Sequence, residues 1–123
     1  MIMERDLAIV IEDETALAIM YERILSRVGY RVLMASEGTG GLDLLQAYTP
    51  RLIMMDMLLP NINGKDLIDY VVRQPRLKET FILVASSAKE YASALDSVQN
   101  GQFFIKPILP RQVMEIAERL FED

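Results

Sequence analysis

Five side chains, far apart in the sequence, share one circumstance: each stands at the polar end of an apolar run. Leu7-Ala8-Ile9-Val10-Ile11 ends in Glu12-Asp13-Glu14, and Leu52-Ile53-Met54-Met55 ends in Asp56. Phe81 to Ala85 runs into Ser86-Ser87, and Gln102 to Ile105 runs into Lys106-Pro107. If Glu12, Asp13 and Asp56 converge, like charges oppose their joint ionisation. A hard divalent cation relieves that repulsion, and oxygen ligands in a small cleft suit Mg²⁺. A hydroxyl and an ammonium on the same rim then complete a site that can handle an anion. Each residue also has a plainer reading. Acids after a strand cap the next helix, Asp56 can open a turn, the serines can cap, and Lys106 can be solvated.

The elements that must position these groups follow from the period of the apolar residues. Leu7–Ile11, Leu52–Asp56 and Phe81–Ala85 lack polar alternation, as strands buried on both faces of a parallel sheet do. Tyr30–Ala35 and Gln102–Ile105 add two shorter strands. Leu17, Met20, Tyr21, Ile24, Leu25 and Val28 form one helical face, which Gly29 terminates. Glu37–Tyr48 is a weaker helix, opposed by Gly38, Gly40 and Gly41. Leu67, Ile68, Val71 and Val72 mark a third helix, Tyr91, Ala94, Leu95 and Val98 a fourth. Leu109 to Leu120 form a fifth, with Pro110 in its first turn. Five strands alternating with five helices predict a doubly wound parallel sheet of order 2-1-3-4-5. In that order strands one and three are neighbours, so Glu12 and Asp13 meet Asp56 where such sheets bind ligands. The stripes with Met20, Tyr21 and Tyr91 read as core or partly covered surface rather than cofactor contacts.

Composition narrows the chemistry. The 123 residues fit one domain, 1–123, able to bury a core without staples. The chain contains no cysteine and no histidine, which excludes disulfides, thiolate metal sites, zinc chemistry and histidine acid–base catalysis. No run reaches membrane-spanning length and the start is too polar for a signal peptide, so a soluble, cytoplasmic protein with no membrane partner is expected. A net charge of −5 disfavours direct nucleic-acid binding.

Four segments together, Ile9-Val10-Ile11-Glu12-Asp13-Glu14, Asp56-Met57-Leu58-Leu59-Pro60-Asn61-Ile62-Asn63-Gly64, Leu83-Val84-Ala85-Ser86 and Lys106-Pro107, carry a specific likeness. The chain resembles a receiver domain of a two-component response regulator from about Asp6 to its C-terminus. The resemblance implies a flavodoxin-like fold and a signalling switch that catalyses only its own modification. Asp56 would accept a phosphoryl group from a histidine kinase or a histidine phosphotransfer protein. Glu12 and Asp13, with Asp56 and the Leu58 backbone carbonyl, would hold Mg²⁺. Ser86 would sense the phosphoryl oxygens, Lys106 would neutralise them, and Phe103 would follow Ser86 inward as the switch aromatic. The Lys106–Pro107 bond is expected to be cis. A downstream protein target is implied, and a phosphorylation-dependent homodimer stays open.

Three departures from the family pattern stand out. Ser replaces the frequent Thr at 86, and Phe the equally frequent Tyr at 103; both lie within the family's range. The run from Ser86 to Lys106 is about two residues short, so a shortened fourth helix or a tightened loop after it is expected. Leu58 and Ala88 occupy the positions whose side chains influence the hydrolytic water, and neither can hydrogen-bond to it. Slow autodephosphorylation is the expectation. A Mg²⁺-dependent aspartyl-phosphate phosphatase is the alternative enzyme, but it calls for a second acid where Leu58 stands. A pseudo-receiver that only binds partners is the other alternative, opposed by the intact Glu12, Asp13, Asp56, Ser86 and Lys106. Flavin binding is discounted, because Glu12-Asp13-Glu14 would repel a phosphate. With nothing past Asp123, no output domain is expected; the chain reads as a stand-alone receiver or a fragment of a larger regulator or hybrid kinase.

Overall fold

The computed structural model describes residues 2–122. Five strands form one parallel sheet: β1 (Glu4–Ile11), β2 (Arg31–Ala35), β3 (Pro50–Met55), β4 (Phe81–Ser86) and β5 (Gly101–Ile105), ordered β2-β1-β3-β4-β5. Four α-helices cover it: α1 (Thr15–Val28), α2 (Gly38–Ala47), α3 (Gly64–Arg73) and α4 (Pro110–Phe121). The doubly wound α/β class and the strand order are those the sequence predicts.

Strand alternation divides the core in two. Ala8, Val10, Leu52, Met54, Leu83 and Ala85 face α1 and α4, meeting Tyr21, Leu25, Val113 and Ile116. Ile9, Ile11, Ile53, Met55, Ile82 and Val84 face α2 and α3, meeting Leu45, Leu67, Ile68 and Val71. The central runs carry no polar alternation because both faces are covered. All six residues of β3 are buried. Truncating one such Leu or Ile to Ala costs about 2–5 kcal/mol, so the strand that delivers Asp56 is stiffly held.

Helix ends follow local chemistry. Gly29 closes α1 at φ 122°, its N–H donating to Leu25 O and Ser26 O, a backbone conformation that favours glycine. The Asn63 side chain accepts from the Asp66 N–H and starts α3. Pro110 enters α4 in its first turn.

The fourth crossover departs from the predicted helix. Lys89–Leu95 is a 3₁₀ segment, and a second short 3₁₀ turn, Pro75–Leu77, follows α3. The expected stripe still packs: Tyr91, Ala94, Leu95 and Val98 lie partly buried against the α2–α3 side. The shortened run from Ser86 to Lys106 explains the change. A parallel crossover must return to the start of the next strand. A 3₁₀ segment rises about 2.0 Å per residue against about 1.5 Å for an α-helix, so fewer residues cover the distance.

Candidate functional site

The carboxyl ends of β1, β3, β4 and β5 bring the predicted groups to one edge of the sheet. Register sets the first meeting: Ile11 lies opposite Met55, and the Asp56 N–H donates to Ile11 O at 3.2 Å. The next residue of each strand therefore turns into the same crevice. Glu12 and Asp56 are buried and Asp13 is exposed, and one carboxylate oxygen of each lies within 4.8 Å of the others. Three oxygen donors of that spacing fit a hard divalent cation.

Lys106 faces the buried pair. Its Nζ donates to Glu12 Oε1 and to Asp56 Oδ2, both at 2.9 Å. The other Asp56 oxygen, Oδ1, accepts the Met57 N–H at 2.6 Å and the Leu58 N–H at 3.3 Å. One side chain is thus fixed from two directions. Gly64 makes room for this loop: a Cβ there would fall 2.6 Å from Met57 Cα, and its N–H donates to Met57 O.

The electrostatics follow from burial and partners. Burial raises the Glu12 pKa above its ordinary value, although the Lys106 hydrogen bond and the Glu14 N–H pull it down. For Lys106 burial acts to lower the pKa, but the hydrogen bonds to Asp56 and Glu12 prevail and hold it above its ordinary value. Lys106 is therefore charged throughout the neutral range, with two acids sharing it.

Ser86 ends β4 fully buried, and its Oγ accepts the Ala88 N–H at 3.2 Å. Its backbone carbonyl accepts the Lys106 N–H at 2.8 Å, which sets the start of the Lys106 loop beside it. The Lys106–Pro107 peptide is cis, as expected. Phe103 is half-buried against the α2–α3 side and pairs with Val84, one alternation back from the Ser86–Ile105 pair. Ser86 and Phe103 accordingly occupy the same sheet face. Leu58 leaves the site outward, its side chain exposed.

The plain capping reading fails for the first acids, since Glu14 is the N-cap of α1 and makes no side-chain cap bond. Sequence reasoning missed two features. The amides that hold Asp56 Oδ1 belong to backbone, which residue types do not advertise. The Lys106–Glu12 pair joins residues remote in sequence, and the rim alone does not give it: the β4–β5 register brings Lys106 beside Ser86, and from there its side chain reaches both acids.

A family model described as response regulator receiver domain matches residues 8–118. The chain belongs to this family. It is 27% identical over 118 residues to the chemotaxis protein CheY of Thermotoga maritima, covering 91% of this chain and 94% of that one. It is 30% identical over 105 residues to the transcriptional regulatory protein AfsQ1 of Streptomyces coelicolor, covering 84% of this chain but 45% of AfsQ1. Among solved structures, a CheY-like receiver domain protein of Methanospirillum hungatei superposes with a TM-score of 0.82 at 24% identity, over 95% of this chain and 94% of that one. This receiver is thus a phosphoacceptor signalling switch of two-component systems, a module that works between histidine kinases and downstream effectors. No helix among the described residues is long and apolar enough to cross a membrane.

Proposed function

We propose that Asp56 is the phosphoacceptor and that Glu12, Asp13, Asp56 and the Leu58 carbonyl hold Mg²⁺ beside it. The observation that carries this reading is the two-sided grip on Asp56. Amides fix Oδ1, which leaves Oδ2, on the Lys106 side, to attack the phosphorus of a phosphohistidine on a histidine kinase or phosphotransfer protein. The P–N bond breaks, the partner's imidazole leaves, and an acyl phosphate forms on Asp56. When bound, Mg²⁺ supplies charge neutralisation for the incoming phosphoryl oxygens.

Lys106 is then released from its carboxylates to pair with the phosphoryl group. Ser86 gives up its acceptor role toward Ala88 and turns its hydroxyl to the same oxygens, and Phe103 follows on the shared sheet face. That rearrangement changes the surface a downstream protein target reads. As for the phosphatase alternative, Leu58 offers no second acid for turnover. The pseudo-receiver alternative leaves the buried Glu12–Lys106–Asp56 arrangement without a purpose.

Beryllofluoride, or a small phosphodonor with Mg²⁺, tests the assignment. A stable one-to-one adduct, abolished by Asp56→Asn, is the expected result. Repeated turnover of a phosphate ester would establish the phosphatase instead, and absence of any adduct the pseudo-receiver.

A further inference from the structure

At the pole of the sheet opposite Asp56, the amino ends of the strands enclose a second concavity of about 300 Å³. Arg5, Arg51, Arg119, Glu79 and Asn100 supply its polar lining, and Met3, Phe81 and Leu120 the rest. Arg51 and Arg119 outnumber the one lining carboxylate, Glu79, an unexpected balance in a chain of net charge −5.

Arg51 is the anchor. Only 8% of it is exposed, yet no carboxylate of a described residue forms an ion pair with it. Its Nε donates to Arg5 O at 2.8 Å and its Nη1 to Leu120 O at 2.7 Å. Those bonds tie β1 and β3 to the carboxyl end of α4, which is a sufficient structural reason for two of its donors. Both acceptors are neutral carbonyls, so the guanidinium has no carboxylate counter-charge among the described residues, and a buried charge is normally paired. Arg119, exposed on the last turn of α4, has no ion-pair partner among the described residues and borders the same cavity. The helix end presents carbonyls here rather than amides, so any attraction for an anion comes from the guanidinium groups alone. Planar guanidinium forks match the oxygens of carboxylates and phosphates.

We propose that this cavity binds a small multivalent oxyanion, either a phosphate or a polycarboxylate. The site is separate from the phosphoacceptor crevice and does not depend on its assignment.

Inorganic phosphate and citrate, titrated separately without Mg²⁺ at low ionic strength, test the proposal by backbone amide NMR shifts. Saturable shifts are expected around Arg51, Phe81, Asn100 and Arg119, and the tighter of the two titrants names the ligand chemistry. Arg51 stays in place because it also ties the fold together. Arg119→Gln, at an exposed position, weakens binding at least about fivefold, and Glu79→Gln tightens it about twofold. Arg111→Gln, an exposed arginine at the other end of α4, leaves it unchanged. Shifts that never saturate, that centre on Lys106, or that weaken equally in Arg119→Gln and Arg111→Gln overturn the proposal.

Discussion

Lys106 Nζ lies 2.9 Å from Asp56 Oδ2, and at the same distance from Glu12 Oε1. The lysine therefore holds the place of a counter-ion before any metal or phosphoryl group arrives. On the proposed metal site, its ammonium would compete with a divalent cation for the same oxygens. Replacing Lys106 with Met removes a positive charge from the metal's immediate surroundings. Mg²⁺ affinity, measured by calorimetry, should rise roughly fivefold to tenfold while the rate of Asp56 phosphorylation falls sharply. Unchanged Mg²⁺ affinity would show that the lysine does not share the metal's ligands.

On the proposed assignment, the lifetime of the signal rests on what would surround an acyl phosphate at Asp56. Leu58 projects outward, 51% exposed, and Ala88 follows Ser86 by two residues. Neither side chain can orient the attacking water. Decay of the phosphorylated protein should be slow, and Leu58→Asn or Ala88→Glu should accelerate it about tenfold, less than the roughly 10²–10⁴-fold of a fully positioned general base. Phosphate release from pre-labelled protein measures it. Rapid wild-type decay, indifferent to both changes, would count against the idea.

Gly38 controls the loop beyond Asp56 from another helix. Its N–H donates to Pro60 O at 2.9 Å, and a Cβ at this position would stand 1.7 Å from Ile62 O. Backbone, not a flexible side chain, occupies that space. Gly38→Ala should therefore push the 57–64 loop away from α2, at about 1–3 kcal/mol of stability. Because Leu58 sits on that loop, Mg²⁺ affinity should fall as well. Denaturant unfolding and Mg²⁺ titration of the same variant read the two effects. Lost stability with unaltered Mg²⁺ binding would confine Gly38 to a packing role.

The runs Leu7–Ile11 and Leu52–Met55 made the buried parallel sheet legible, because strands covered on both faces need no polar alternation. Glu12, Asp13 and Asp56 became a cluster once the strand order put β1 beside β3. Tyr91, Ala94, Leu95 and Val98 fit helical spacing, and the missing length before Lys106 signals a shortened element, but neither names the 3₁₀ path that Lys89–Leu95 takes. Period and length together still cannot tell a short α-helix from a 3₁₀ segment. The cavity around Arg51 was not legible at all: Arg5, Arg51 and Arg119 are scattered in sequence, and only the amino ends of the strands bring them together.

Burial raises the Tyr30 pKa from 10.0 to about 12, with Arg51 acting weakly the other way. The folded state therefore favours the neutral phenol. The sign follows from linkage: this contribution is complete below pH 10 and is lost as the pH rises through about 12. Across that window the wild type should lose roughly 2–3 kcal/mol relative to Tyr30→Phe, which has nothing to ionise there. Unfolding curves of the two proteins at stepped alkaline pH provide the comparison. Parallel pH profiles would mean that Tyr30 ionises as easily folded as unfolded.

Tyr21 and Tyr30 are both nearly inaccessible, but their hydroxyls have opposite circumstances. Tyr30 Oη donates to Ala117 O at 2.9 Å, pinning the turn before β2 to α4. Tyr21, only 2% exposed, has a buried hydroxyl without a hydrogen-bond partner among the described residues. Removing a satisfied hydroxyl forfeits about 1 kcal/mol, whereas removing an unsatisfied one relieves a desolvation cost of about 1–3 kcal/mol. At neutral pH, Tyr30→Phe should therefore destabilise the protein by about 1 kcal/mol, and Tyr21→Phe should stabilise it by a similar amount. Thermal unfolding of the two variants beside the wild type measures both signs. Destabilisation by Tyr21→Phe would show instead that this hydroxyl is hydrogen-bonded in solution.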